Sequence, residues 1–367
     1  EDATVRPVPD RALLPLPAQP EGIPWPAESW PAADPADLGA DVGRLNDLLD
    51  ELVADGEHPV FGRTYAAAVV ARGQLVAERF GEAPPYEPVD GTSELLSWSM
   101  AKSITSLAVG VAVADGLLDV DDRVPDPQWA DPSDPRNPIP WRHLLAMRPG
   151  LAWTEQYHDF TSDALPDVIT MLFGEGADDV GAYAASMPLV AVPGSPEAFV
   201  YSSGTTNIVA ANLQRVLGLD AAGMDAHLRE RIFDPLGFTT FRAQYDPAGT
   251  FIGSSYVWAN LRDWCRFGLL AARGGIWDGR AIVPSAWVDE ARTARSWDEG
   301  LLHGAQWWTW DQDQMPFGAH GFEGQRIIAF PTRDVVVVRF GKTGPNDTAA
   351  LNAHLTEVAN CFPELSA

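Results

Sequence analysis

The stretch Ser99-Met100-Ala101-Lys102, followed by the small and apolar run 103–116, decides how this chain is read. On a helix, residues three apart share a face, so a serine in the first turn has the lysine amine beside its hydroxyl. A hydroxyl is a weak nucleophile until a base takes its proton, and an amine held neutral by burial serves as that base. Only two lysines, Lys102 and Lys342, occur in 367 residues, and one of them stands in this position. The apolar surroundings set Lys102 apart from an ordinary surface lysine.

Working outward, residues 1–37 are rich in Pro, Ala and acidic residues and include Pro24-Trp25-Pro26 and Trp30-Pro31, which reads as an extended arm anchored by its tryptophans. Val42, Leu45, Leu48, Leu49 and Leu52 repeat at helical spacing. Residues 65–71 and 74–80, joined at Arg72-Gly73, predict a strand pair with a tight turn. Segments 141–147, 165–173, 179–186, 206–217 and 259–271 predict helices. Strands return at 280–283, 306–310, 325–330 and 335–340, with a turn at 331–334, and 346–360 predicts a closing helix. Strands at both ends with helices between them imply one antiparallel sheet built from the two ends of the chain, flanked by helices, with an all-helical domain inserted. The expected division is the arm 1–37, an α/β part 38–110, a helical part 111–270 carrying the site loops, and a second α/β part 271–367.

Composition narrows the function. The hydrophobic share of 46% and charged share of 21% are those of a soluble globular protein. A net charge of −26 argues against nucleic acid and anionic membrane surfaces as partners. No apolar run reaches membrane-span length. Cys265 and Cys361 stand in no metal-ligand spacing and read as buried free thiols, so neither a zinc site nor any other cofactor is expected. Asp119-Val120-Asp121-Asp122 lacks the spaced oxygens of a calcium loop. Adjacent side chains do not face each other, which argues against a His158-Asp159 pair in a triad. No G-x-S-x-G elbow and no dinucleotide or phosphate-loop glycine signature occurs. The chain starts at Glu1, without Met; the expectation is a cytoplasmic protein, with secretion and a homodimer left open.

Two more pieces of chemistry follow Ser99 in order. Tyr201-Ser202-Ser203-Gly204 stands just before a helix, where a tyrosine hydroxyl can point into a cleft, and a phenol near a cationic amine relays a proton more readily than a free one. Gly318-Ala319-His320-Gly321-Phe322-Glu323-Gly324-Gln325 follows, and glycines there allow close backbone approach to a ligand. Backbone N–H groups of that segment and of Ser99 could stabilise an oxyanion.

In this order and spacing, the three pieces resemble the penicillin-recognising serine hydrolase superfamily, which holds class C β-lactamases, DD-peptidases, related esterases and 6-aminohexanoate-dimer (nylon oligomer) hydrolases. The resemblance spans roughly residues 38–360. Tyr201-Ser202-Ser203 fits the Y-x-S form of the nylon-oligomer branch, Gly321-Phe322-Glu323-Gly324-Gln325 looks like its G-x-x-G-Q, and Gln306-Trp307-Trp308 is similar too. The resemblance implies an α/β sandwich with a helical second domain. It makes Ser99 the acylated nucleophile, Lys102 its general base and Tyr201 the proton shuttle, with the N–H groups of Ser99 and Phe322 as the oxyanion hole. It also suggests Tyr157, Ser203, Trp307, Trp308, His320 and Gly321 as substrate contacts, and a small amide or ester as substrate. One departure is the cation-bearing K-T-G or H-T-G of lactamases and DD-peptidases. Alignment through Gly321 sets Pro316-Phe317-Gly318 in its place, and the literal Lys342-Thr343-Gly344 follows the last strand. The alternatives are a β-lactamase or DD-peptidase, and a non-catalytic binding protein on the same fold.

Overall fold

The structure is a computed structural model that describes residues 6–54, 56–85, 87–157, 164–298 and 300–365; His158 and Asp159 lie outside them. Helix α1 (Val42–Leu52) opens the regular structure, with Asp41 Oδ1 accepting from Arg44 N at 3.1 Å and Leu45, Leu49 and Leu52 buried. Strands β1 (Arg63–Ala71) and β2 (Gln74–Phe80) follow, joined where Arg72 and Gly73 both take positive φ, 50° and 74°, as a two-residue hairpin turn requires. Helix α2 (Ala101–Ala114) carries Lys102. The helical stretch includes α3 (Ser203–Leu217) and α4 (Leu261–Ala272). The chain then returns to strands: β3 (Ser296–Asp298), β4 (Leu301–His303), β5 (Trp308–Thr309), β6 (Phe317–Gly321), β7 (Gln325–Phe330) and β8 (Val335–Lys342). Helix α5 (Thr348–Asn360) follows them.

These eight strands form one antiparallel sheet in the order β3-β4-β5-β6-β7-β8-β1-β2. The two chain ends meet at β8 and β1, paired antiparallel from Arg63↔Lys342 to Ala71↔Val335 with a bulge between Thr64 and Ala66. One face, with Ala66, Ala68, Val70, Ile327, Val336 and Val338, packs on α4 and the helical side of the core. The other, with Ala67, Val69, Ile328, Phe330, Val335 and Val337, packs on Leu45 and Leu49 of α1 and Leu351 and Leu355 of α5. This agrees with the architecture expected from strands at both ends. The expected strand at 280–283 is instead one side of a separate two-residue hairpin, Ile276–Trp277 with Arg280–Ala281. Cys265 and Cys361 are both buried and free.

From residue 6 the arm runs without helix or extended strand, save a single β-bridge of Ala32 to Leu75, as far as the short turn Pro35–Leu38. Trp25 packs on Trp277 with ring centroids 4.8 Å apart, and the Trp30 indole donates to Arg262 O at 3.3 Å. Three arginines of the folded body, Arg292, Arg273 and Arg266, donate to the arm's main-chain oxygens of Leu14, Pro17 and Ala27.

Candidate active site

Ser99 sits in a single 3₁₀ turn, Trp98–Met100, that runs directly into α2. The turn hangs from a small three-stranded sheet of Leu95–Leu96, Val257–Ala259 and Arg242–Ala243, which Ser97 N extends by donating to Val257 O at 2.8 Å. Trp98, immediately before the nucleophile, takes φ 44°, an uncommon conformation for a bulky residue that costs on the order of 1–3 kcal/mol. Its ring is wedged against Phe322 (centroids 5.7 Å) and Tyr256 (5.9 Å), which holds that conformation in place. Ser99 itself stays partly exposed.

Lys102 is 2% exposed, and its Nζ donates to Ser99 Oγ at 2.9 Å, Ser203 Oγ at 2.9 Å and Ser254 O at 3.0 Å. Burial pushes its pKa from 10.5 down to about 8, against an upward pull from Glu155. The base is therefore poised within reach of neutral pH. Ser203 donates in turn to Glu155 Oε1 at 2.5 Å, and Glu155 also accepts from Ser203 N (2.9 Å), the Trp153 indole (2.6 Å) and the Tyr157 hydroxyl (2.7 Å). The Trp153 ring fits over the start of α3 because residue 204 is glycine: a Cβ there would lie 2.5 Å from the ring. Ser203 is thus a bridge between base and carboxylate.

Tyr201, in the loop entering α3, has Ser99 as a hydrogen-bond partner. Lys102 Nζ lies over its ring face, 5.1 Å from the centroid. Burial raises the phenol's pKa well above its usual 10, so the hydroxyl stays protonated. A protonated hydroxyl at this position suits the proton-shuttle role expected of Tyr201.

Strand β6 ends against the nucleophile turn. A Cβ at Gly321 would come 2.3 Å from Ser97 O, so only glycine permits this approach. Phe322 follows at once and packs on both Trp98 and Tyr157 (centroids 5.7 and 4.6 Å). Pro316-Phe317-Gly318 lies at the far end of this strand, and the residues beside Ser99 are Ala319-His320-Gly321, again without a permanent cation. Lys342 caps β8 at the surface, 3.6 Å from Glu323, and Thr343 Oγ1 donates to Phe61 O, so the literal K-T-G is spent on the fold. Trp308 and His320 stack (5.5 Å, 15°) and line the site with Tyr201, 5.2 Å from Trp308. Trp307 points the other way, into the core, stacked on Phe267 at 5.8 Å.

Sequence reasoning did not pick out three groups. Glu155 gives no signal among 51 acidic residues. His303, fully buried between Tyr201 and Trp308, meets no well-aligned hydrogen-bond partner at either ring nitrogen, and burial pushes its pKa down to about 3 against a small upward pull from the Gly304 backbone. Arg326, 3% exposed, donates to Gly321 O at 3.1 Å. Among the described residues no group of three or more His, Cys, Asp or Glu is placed to hold a metal ion. A cavity of ≈190 Å³ lies elsewhere, lined by Arg142, Arg148 and Arg295. Asp121 and Glu290 engage Arg142 and Arg295, and Ser296 with a backbone carbonyl engages Arg148.

Comparison with known proteins agrees with this fold. The family model described as Beta-lactamase matches residues 46–360. The chain is 25% identical over 336 residues to a 6-aminohexanoate-dimer hydrolase of Paenarthrobacter ureafaciens, covering 86% of this chain and 82% of that protein. Among solved structures, one from Bacillus anthracis carrying the provisional name 6-aminohexanoate-dimer hydrolase superposes with TM-score 0.70 at 21% identity, over 86% of this chain and 81% of that one. An octameric penicillin-binding protein homologue from Pyrococcus abyssi does so with TM-score 0.64 at 17% identity, over 87% and 77%. With its Ser99–Lys102 pair seated at the end of the sheet and a family match across most of its length, the chain belongs to the Beta-lactamase family of serine hydrolases.

Proposed function

We propose that this protein hydrolyses a small amide or ester through a Ser99 acyl-enzyme, in the manner of 6-aminohexanoate-dimer hydrolases and related carboxylesterases. The observation that carries the reading is the 2.9 Å contact between Ser99 Oγ and a buried lysine amine whose pKa lies near 8. Neutral Lys102 takes the Ser99 proton as Oγ bonds to the substrate carbonyl carbon. The backbone N–H groups of Ser99 and Phe322 receive the oxyanion. Tyr201, kept protonated, gives its proton to the leaving amine or alcohol as that bond breaks, and the proton that Lys102 took from Ser99 then replaces it on Tyr201. Water then attacks the acyl group and regenerates Ser99. Tyr157, Trp308, His320 and Gly321 offer a largely aromatic wall with no permanent cation, which suits a neutral or amine-bearing chain better than a carboxylate-marked lactam.

The test is hydrolysis of p-nitrophenyl acetate, p-nitrophenyl butyrate, 6-aminohexanoate dimer and nitrocefin by the wild type and by Ser99→Ala. Turnover of the esters or the linear amide that falls at least about 10⁴-fold in Ser99→Ala is the expected result. Equal rates in both proteins overturn it, and rapid nitrocefin turnover reassigns the enzyme to the β-lactamases.

A further inference from the structure

Two arginines lie under the turn that follows β6. Arg326 and Arg339 face each other directly across β7 and β8, are 3% and 0% exposed, and among the described residues neither forms an ion pair with a carboxylate. Like charges placed opposite each other in a sheet are destabilising, and burial lowers the pKa of both, to about 10 for Arg326 and about 9 for Arg339. What they hold is main chain. Arg339 donates to Glu323 O (3.3 Å) and Gly324 O (3.0 Å), within a turn whose φ values are 58° and 84° at those residues. Arg326 donates to Gly321 O (3.1 Å) and Gln325 O (2.9 Å), while its Nε is held by Asn352 Oδ1 at 2.9 Å.

Gly321 C=O and Phe322 N–H belong to the same peptide unit, which is planar and trans, so the oxygen and the hydrogen point in opposite directions. A cation bonded to that oxygen fixes the plane and draws electron density away from the nitrogen, making the N–H a stronger donor. We propose that Arg326 is a positioning residue for the oxyanion hole: its guanidinium grips Gly321 O and thereby aims and polarises the Phe322 N–H towards the developing oxyanion. This rests on the Ser99 acyl-enzyme reading and extends it. It also supplies a role for a permanent positive charge beside a site whose strand carries none. The charge acts through a peptide group, not on the substrate.

The experiment compares wild type, Arg326→Met, Arg326→Lys and Asn352→Ala, the last keeping the charge but loosening its anchor. Three quantities are read on whichever of the panel substrates the wild type turns over. These are kcat and KM, the inhibition constant of a boronic acid that forms a tetrahedral Ser99 adduct, and the infrared stretch of a ¹³C-labelled acyl-enzyme carbonyl. The expected result for Arg326→Met is a fall in kcat of about tenfold or more, towards the 10²–10³ seen when an oxyanion donor is removed outright. KM should change by less than about twofold, boronate binding should weaken in step with kcat, and the carbonyl stretch should move to higher wavenumber. Arg326→Lys and Asn352→Ala should fall between. A lower melting temperature with kcat, boronate affinity and carbonyl stretch all unchanged would overturn the proposal and leave Arg326 a purely structural residue. If Arg326→Met does not fold, Asn352→Ala decides by the same stretch. If Ser99→Ala remains fully active, the acyl-enzyme reading itself has failed, an outcome separate from the behaviour of Arg326.

Discussion

Two regions meet at Ser99, and they treat polar atoms in opposite ways. On the α3 side, Lys102 makes three hydrogen bonds and Glu155 accepts four, so the cluster is internally complete. On the β4–β6 side, both nitrogens of His303 and the Nε2 of His320 are buried without a well-aligned hydrogen bond, set among the rings of Tyr201, Trp308 and Trp310. A satisfied network in a low-dielectric setting fixes geometry and proton positions, which is what a base and its nucleophile need. Unsatisfied polar atoms cost stability, about 1–3 kcal/mol each by typical mutational series. The molecule is rigid where protons move and holds spare hydrogen-bonding capacity in the wall opposite.

The sharpest way to break this comparison is Lys102→Met. If the amine is the base, kcat should drop by about 10²–10⁴ while the fold survives, since an apolar chain replaces a buried amine. A near-normal rate would hand the proton to another group. In the wild type the same assignment predicts a rate that rises as pH increases through about 8, the value at which buried Lys102 gives up its charge.

Glu155→Gln sharpens the comparison further. The Glu155 carboxylate stabilises the ammonium form and so raises the Lys102 pKa. Removing its charge makes the amine easier to deprotonate and moves the rising limb of the pH–rate profile to lower pH. The plateau should fall by about tenfold as Ser203 loses its charged acceptor. A limb that stays in place would mean that Glu155 serves only to hold Trp153 and Tyr157.

The smallest expected effect is on the other wall. His303→Leu removes two nitrogens without a well-aligned partner from a fully buried position. Thermal unfolding should show it to be no less stable than the wild type, and more stable by about 1 kcal/mol if its shape is accommodated. A loss of several kcal/mol would show that the imidazole is partnered in solution.

The reaction centre was the easy part to read. S-x-x-K is a local pattern, and the helix geometry that makes it meaningful follows from spacing alone. Ser203 was visible as a residue but not as a bridge, because its role depends on Glu155, which is 48 residues away and reaches it only through the fold. Trp307 and Trp308 are adjacent in the sequence, yet neighbours on a strand point to opposite faces, and only Trp308 lies beside Tyr201. Strand β6 gave little warning of its type. Gly318 and Gly321 are poor strand formers, and they are tolerated here because flanking backbone comes too close for any side chain. Arg326 and Arg339 read as ordinary charged residues in strands, and nothing in the sequence says that their partners are carbonyl oxygens.

The arm at the start of the chain is held in a way that bears on how it tolerates change. Arg266, Arg273 and Arg292 are each steadied by an aspartate, Asp263, Asp334 and Asp289, and each extends a remaining N–H to a carbonyl of the arm. Carbonyls are common to all twenty residue types. At these three points the receivers stand on the body and the arm supplies main chain, while Gln19, Trp25 and Trp30 add side-chain contacts of their own. The side chains of Leu14 and Ala27 can therefore be exchanged at little cost, yet shortening the arm would strand three buried guanidinium groups at once.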